Sequence, residues 1–355
     1  MLGAVNSPHL ELLAREMSER GHDVRVAGHT NPTQPASGLE ADGIPVEASS
    51  AVAPRLGLHL PRHVRWLRKL VDRVRPEVVH AHWLSAFPFA AALARVRPLI
   101  ATPWGSDVYL ADWRGQIANR VAARRSDVLA VNSPDIAERV IRMGTRRERV
   151  VLIQWGVDLD LFSPVTEDRA ELRGRLGLGP GPMVLSARGT KPIYNLRTVL
   201  DAFARVADSL PDAQLVVMHP ARGQPALDGI PHADRVHLVG SVPHERMADY
   251  YRAADACVSI PSSDGSPRSV WEAMACACPC VLSGLPWLEG MVEPDTQALT
   301  VPIDAAAVAS AVTRLLRDDR LAGLVGAGGR TLVRARHDRS AHMDRLSRLY
   351  RETAC

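Results

Sequence analysis

The sequence predicts an α/β protein of two domains, each a parallel sheet covered by helices, with their ligand-binding edges facing across one cleft. Three observations predict it. Short apolar runs alternate with helix-period patterns in two successive sets. The chain has 355 residues, 46% of them apolar, enough to bury two cores. No self-similarity at a period of about 20 to 50 residues stands out, which removes solenoids and propellers.

In the first set, Leu10, Leu13, Ala14 and Met17 form a helix face closed by Gly21, and residues 22–27 read as a strand. A loop rich in Pro, Ser and Gly follows. A helix over 62–74 leads to strands at 77–82, 98–102 and 127–131. Met1-Leu2-Gly3 reads as the tail of a strand, so either the start lies late or the first strand is truncated. The run Val150–Asp158 and then Phe162-Ser163-Pro164 leaves this domain, with the hinge near 156–164. The domains are expected at 1–160 and 161–335, with a helix within 336–355 crossing back to the first.

The second set runs through a helix near 167–176 and strands at 183–187, 213–218, 236–240 and 256–260. After the last strand, Pro261-Ser262-Ser263 are turn residues, and Val270, Trp271, Met274 and Ala275 recur with helical spacing. Ser266 is expected as N-cap and Pro267 at the first helical position. Free amides at a helix start, reinforced by the helix dipole, suit an anion. Asp264 stays in the loop, and Glu272 lies about two turns on, roughly 9 Å along the axis. Two acids bracketing an anion site match the order sugar, diphosphate, ribose; an ordinary junction with a solvated Asp and a surface Glu is the plainer alternative.

The segment SSDGSPRSVWEAMACACPCVLS resembles the signature of the family-4 retaining glycosyltransferases of GT-B fold, in which an acid, seven residues and a Glu precede AMACG.PVV. The resemblance spans essentially the whole chain and is strongest from about 125 to 300. It implies two Rossmann-like domains and transfer of a sugar from a nucleoside-diphosphate donor to an acceptor hydroxyl on a glycan, lipid or small molecule. Retention, independence of metal and the lack of any cofactor beyond the nucleotide-sugar are also implied. By position, Asp264 would touch the donor sugar, Gly265, Ser266 and Pro267 the sugar and phosphate, and Glu272 the ribose. Asp264 stands where Glu is commoner, with a reach shorter by one methylene.

The family usually carries an Arg and then a Lys against the diphosphate. Arg188 in Ser186–Asn195 matches the first; Tyr194 stands in place of the Lys, so Lys191 serves only if the loop turns it inward. Gly240 and Val242, in the run Val239–Pro243, resemble the segment that holds the base through backbone groups, which leaves the base open. On the acceptor side Trp104 replaces the family's His; an indole takes no proton but stacks on a sugar ring. His82 is a further candidate, read beside His80 as facing the opposite side of its strand, with a structural role as the alternative. Asp107, Asn6 and His9 complete the set.

The net charge of +4 is carried almost wholly by Arg, the only lysines being Lys69 and Lys191. Residues 62–73 form a basic amphipathic helix that suits either loose contact with an anionic membrane or a solvated face over a core stripe. No aromatic-basic interleaving points to nucleic acid. With no apolar run of about 18 residues and no basic leader, a cytoplasmic enzyme, peripheral at the inner face of the membrane if that helix binds it, is expected. Cys257, Cys276, Cys278, Cys280 and Cys355 lack disulfide-framework or zinc spacing and read as reduced core thiols. No GxGxxG follows an early strand, which argues against a nicotinamide dehydrogenase. A sugar-nucleotide epimerase and an inactive sugar-nucleotide-binding partner remain as alternatives.

Overall fold

The structure, a computed structural model, describes residues 1–32, 36–49, 59–219 and 224–354. Cys355 lies outside them. The chain divides into two compact units, residues 1–155 with 340–355, and residues 156–339.

Unit 1 holds β1 (Leu2–Ala4), β2 (Val26–His29), β3 (Val46–Ser49), β4 (Val79–His82), β5 (Leu99–Thr102), β6 (Val128–Val131) and β7 (Val150–Leu152). Its helices are α1 (Pro8–Glu19), α2 (Leu60–Val74), α3 (Phe87–Ala94), α4 (Ser106–Tyr109), α5 (Trp113–Arg125) and α6 (Pro134–Arg142). Unit 2 holds β8 (Met183–Ser186), β9 (Gln214–Met218), β10 (Val236–Val239), β11 (Ala256–Ser259), β12 (Cys280–Ser283) and β13 (Leu299–Val301). Its helices are α7 (Arg169–Arg175), α8 (Leu196–Ser209), α9 (Met247–Ala253), α10 (Arg268–Ala275), α11 (Ala305–Arg317) and α12 (Asp319–Arg336). From Ser340, α13 (Arg339–Ala354) belongs to unit 1.

Both sheets are parallel, in the orders β3-β2-β1-β4-β5-β6-β7 and β10-β9-β8-β11-β12-β13. The winding reverses between β1 and β4 in one and between β8 and β11 in the other, the points where such sheets open a crevice beyond their carboxyl ends. Strand residues alternate between two cores, as the period of two requires. Leu99 and Ala101 join α2, α3 and α5 on one face of unit 1, and Ile100 joins α1 and α13 on the other. In unit 2, Leu185 and Cys257 pack with α9 and α10, and Val184 and Val258 with α8 and α11.

The strand expected at 22–27 instead covers Val26–His29, the residues that pair with β3 from Val26 opposite Val46 to His29 opposite Ser49, β1 joining from Leu2 opposite Ala27. His22 still closes α1, its amide donating to the Met17 carbonyl at 3.1 Å. The start of α10 also differs: Pro267 occupies the N-cap in extended conformation and the helix begins at Arg268. Ser266 does not cap, since its Oγ accepts from Trp271 Nε1 at 2.9 Å.

The end of α10 is a Schellman turn, with the Cys278 amide donating to Ala273 at 3.0 Å and the Ala277 amide to Met274 at 2.9 Å. Ala277 holds φ +57° there, where the family pattern has Gly. Helix α12 comes close beside it: a Cβ on Gly326 would sit 2.4 Å from the Ala277 carbonyl oxygen, so only glycine lets the two helices approach. Cys257, Cys276, Cys278 and Cys280 are buried and free, and burial pushes the Cys276 thiol up to about 12. A left-handed alanine costs about 1 kcal/mol, partly offset by its stiffer unfolded chain. Ala277→Gly is therefore expected to stabilise unit 2 by up to about 1 kcal/mol, read as a higher urea midpoint; a lower midpoint would contradict the assignment of strain.

Candidate functional site

In unit 2 the structure brings Arg188, Asp264 and Gly265, all named from the sequence, to the head of α10. The loops after β8 and β11, on the two sides of the switch point, are laced to each other. Asn195 Nδ2 donates to the Ile260 carbonyl and to Ser262 Oγ, both at 2.8 Å, and the Ser262 amide donates to Ile193 at 2.8 Å. This lacing presents Arg188 to the head of α10. Its guanidinium pairs with Asp264, donates to Ser269 Oγ at 3.1 Å and lies over the Tyr194 ring, 4.8 Å from the centroid. Tyr194, in place of the family's lysine, thus supports the cation that remains. Arg188 and Asp264 are each 14% exposed, so their attraction is only partly screened.

The Gly265 amide turns back to Asp264 Oδ1 at 2.8 Å. The amides of Ser266, Arg268 and Ser269 meet no acceptor among the described residues, as expected of a helix start. Lys191 is exposed at the head of the 3₁₀ turn Pro192–Tyr194 and is not gathered into this cluster. Gly240 and Val242 are half-buried just beyond β10, and the Val239 carbonyl accepts from the His219 amide at 2.9 Å.

Glu272 is no surface acid. It is 4% exposed, with His244 Nε2 2.7 Å from Oε1 and Tyr251 donating to Oε2 at 3.4 Å. Arg268 Nε lies 2.7 Å from Oε1, near enough for an ion pair but out of line for a hydrogen bond. His244, Tyr251 and Arg268 went unnamed in the sequence reading. The Arg268–Glu272 spacing of i, i+4 was a legible signal; His244, 28 residues from its partner, gave none. Trp271 stacks on His337, ring centroids 3.9 Å apart, which fixes the inner face of α10.

In unit 1 the candidates also collect at the switch point, but in different roles. His80 and His82 share one side of the sheet, their ring centroids 4.1 Å apart, because residues two apart on a strand face the same way; the opposite-side reading is corrected. His80 is bonded to Tyr350 Oη at 2.6 Å and Thr102 Oγ1 at 2.7 Å. His82 is 3% exposed, neither ring nitrogen has a partner among the described residues, and burial lowers its pKa to about 3. Around it stand Trp104 at 5.9 Å and Trp155 at 6.1 Å between centroids; Trp104 also meets His9 at 5.2 Å, Trp155 at 5.0 Å and Trp83 at 6.4 Å. Trp104 Nε1 is buried without a partner among the described residues. Trp83 and Trp155 went unnamed, since nothing in local spacing joins residues so far apart in the chain.

Asp107 and Asn6 are structural ties. Asp107 accepts the Leu84 amide at 2.5 Å and the Trp104 and Gly105 amides at 2.9 Å each. Burial pushes its carboxyl up to about 6, against the pull of those amides. Asn6 exchanges two 2.8 Å bonds with the backbone of Asn31. One Asp-x-Asp triplet, Asp158-Leu159-Asp160, was passed over in the sequence; Asp158 Oδ1 accepts the amides of Asp160 at 3.1 Å and Leu161 at 2.9 Å, which makes it a turn cap. No group of three His, Cys, Asp or Glu side chains among the described residues is placed to hold a metal.

Two doubly wound parallel sheets in separate units, with the acid-bracketed helix start in the second, define a glycosyltransferase of GT-B fold. The chain belongs to family 4 of these enzymes. It matches the family described as "Glycosyl transferase 4-like domain" over residues 7–156 and that described as "Glycosyl transferases group 1" over residues 182–318. It is 30% identical over 334 residues to the D-inositol 3-phosphate glycosyltransferase of Xylanimonas cellulosilytica, covering 85% of this chain and 76% of that one. It is 28% identical over 374 residues to the phosphatidyl-myo-inositol mannosyltransferase of Mycobacterium leprae, covering 99% and 94%. The sucrose-phosphate synthase of Thermosynechococcus elongatus superposes with a TM-score of 0.81 at 25% identity, covering 97% of this chain and 92% of that one.

Two stability predictions follow from unit 1. Asp107→Ala orphans three buried amides and is expected to cost about 3 kcal/mol, measured by chemical denaturation. The second concerns acid. An unfolded imidazole binds its proton near 6.5, whereas buried His82 does so only near 3, His63 near 4, and His80 well below its ordinary value. Between those limits the unfolded chain binds more protons, so stability falls as pH drops below about 6.5; Asp107, raised, opposes with one proton below about 6. The buried N-terminal amine, lowered to about 5, and His22, also lowered by burial, act with these histidines, so stability is expected to fall from pH 7 to 5 despite Asp107, and His63→Leu is expected to remove about one proton of that dependence, read in melting temperatures over that range.

Proposed function

We propose that this glycosyltransferase is retaining and metal-independent, moving a sugar from a nucleoside-diphosphate donor to an acceptor hydroxyl. The observation that carries it is the set of open amides at Ser266, Arg268 and Ser269 beside the Arg188–Asp264 pair at the switch point of unit 2. A diphosphate offers Arg188 a better partner than one carboxylate, and Asp264, so released, accepts hydroxyls of the donor sugar. Buried Glu272, oriented by His244 and Tyr251, takes the ribose hydroxyls. As the glycosidic C–O bond breaks, its electron pair passes to the phosphate oxygen, where Arg188 and the amides stabilise the growing charge. The acceptor oxygen bonds the anomeric carbon on the vacated face, and its proton passes to that phosphate oxygen. His82, beside Trp104, is a poor base for that proton, since burial lowers its pKa to about 3.

The acceptor is assigned to the aromatic cluster of unit 1, where Trp83 and Trp104 offer faces for a ring. The relatives' names make a cyclitol phosphate, free or lipid-borne, the acceptor to try first.

Thermal shifts with uridine, guanosine and adenosine diphosphates identify the base, because the ligand that binds the folded form raises its melting temperature. Arg188→Ala is expected to lower kcat about 100-fold or more, with Lys191→Ala much milder; undiminished turnover in Arg188→Ala sinks the scheme. Turnover is expected to survive a chelator. Trp104→Ala is expected to raise acceptor KM about tenfold and leave donor KM unchanged. Donor consumed without acceptor marks an epimerase, and donor bound without turnover marks a binding partner.

A further inference from the structure

Helix α5 is built inside out. Its core face is small, with Ala118, Asn119, Ala122 and Ala123 buried, while the large apolar residues point outward, Trp113 at 64% and Ile117 at 47% exposure. Leu110, just ahead of the helix, is 60% exposed, and Trp83 is 46% exposed. Of seven large apolar residues exposed among the described residues, these four fall between positions 83 and 117, which makes chance scatter a poor account of them. They are also held near one another. Gln116 Nε2 donates to the Ala111 carbonyl at 3.2 Å and the Gly115 amide to Asp112 Oδ1 at 2.7 Å, which folds the Leu110 turn onto the helix start. A Cβ built on Gly115 would lie 4.0 Å from Ser85, which brings the Trp83 loop alongside.

Charge decides the partner. Helix α5 carries Arg114, Arg120, Arg124 and Arg125 and no acid, all four exposed, and the Arg114 guanidinium sits 5.1 Å from the centroid of the Trp113 ring. Protein interfaces also favour Trp and Arg, but four exposed arginines on a helix without an acid, around a Trp and aliphatic side chains, match the headgroup layer of an anionic bilayer, which takes the apolar groups and the cations together. We infer that α5, with Leu110 and Trp83, docks the protein on an anionic membrane surface.

The basic helix named from sequence is the weaker anchor. Its Trp66 turns toward the core, with its ring 5.1 Å from that of His63, Arg73 pairs with Glu47, and Arg68 donates to the Leu93 and Ala94 carbonyls. Its exposed face presents cations without an apolar insert.

The test is cosedimentation of the full chain with vesicles of phosphatidylcholine alone and of phosphatidylcholine mixed with phosphatidylglycerol. Binding to the anionic vesicles is expected to be at least about tenfold stronger. Trp113→Ser with Ile117→Ser is expected to weaken it about tenfold while melting temperature holds; Arg114→Glu with Arg120→Glu is expected to erase the preference for anionic lipid. Three results overturn the inference: no vesicle binding by the unaltered chain, binding unchanged in the Trp113/Ile117 variant, or a concentration-dependent dimer in sedimentation velocity that this variant abolishes. A nucleoside-diphosphate thermal shift in the same samples reads the donor site separately, so failure of the one does not pass for failure of the other.

Discussion

A parallel sheet whose crossovers change face midway leaves two neighbouring strands with loops that part instead of covering each other. That constraint shapes everything functional in this chain. At β1 and β4 it opens the floor where His82 and Trp104 collect; at β8 and β11 it brings Arg188 against Asp264 and Ser269. Neither cluster is contiguous in sequence. Each is assembled because the strand ends are adjacent and the loops beyond them have room.

The donor-side cluster is balanced electrostatically. A guanidinium paired with a carboxylate, both largely withdrawn from water, costs less than either charge held alone, so the ligand-free arrangement is tolerable. The same pairing sets a threshold. An incoming anion must exceed what Asp264 already gives Arg188, as two phosphates backed by open amides would under the proposed function. Glu272 is settled differently: His244, Arg268 and Tyr251 hold it in one orientation, which suits recognition of a ribose diol.

Much of the fold was legible because parallel strands buried on both faces read as short apolar runs, and nearly every expected strand lies within two residues of its place. Exceptions have local causes. Residues 22–25 look extended, but a strand reaches only as far as its partners, and β3 and β1 begin opposite Val26 and Ala27. Ser266 has the chemistry of an N-cap, yet the Trp271 indole claimed its oxygen from five residues away. Arg188 was legible as a cation beyond β8, but not its engagement by Asp264, 76 residues on. The Asp107 ties and the Trp83–Trp104–Trp155 cluster needed the sheet order, which no periodicity contains.

The thiols at Cys257, Cys276, Cys278 and Cys280 line the layer between β11, α10 and β12, the very elements that present the acidic loop. An alkylating reagent reaches them only when that layer parts. Their rate of labelling, followed apart from that of Cys355, is therefore a built-in clock for the breathing of that layer.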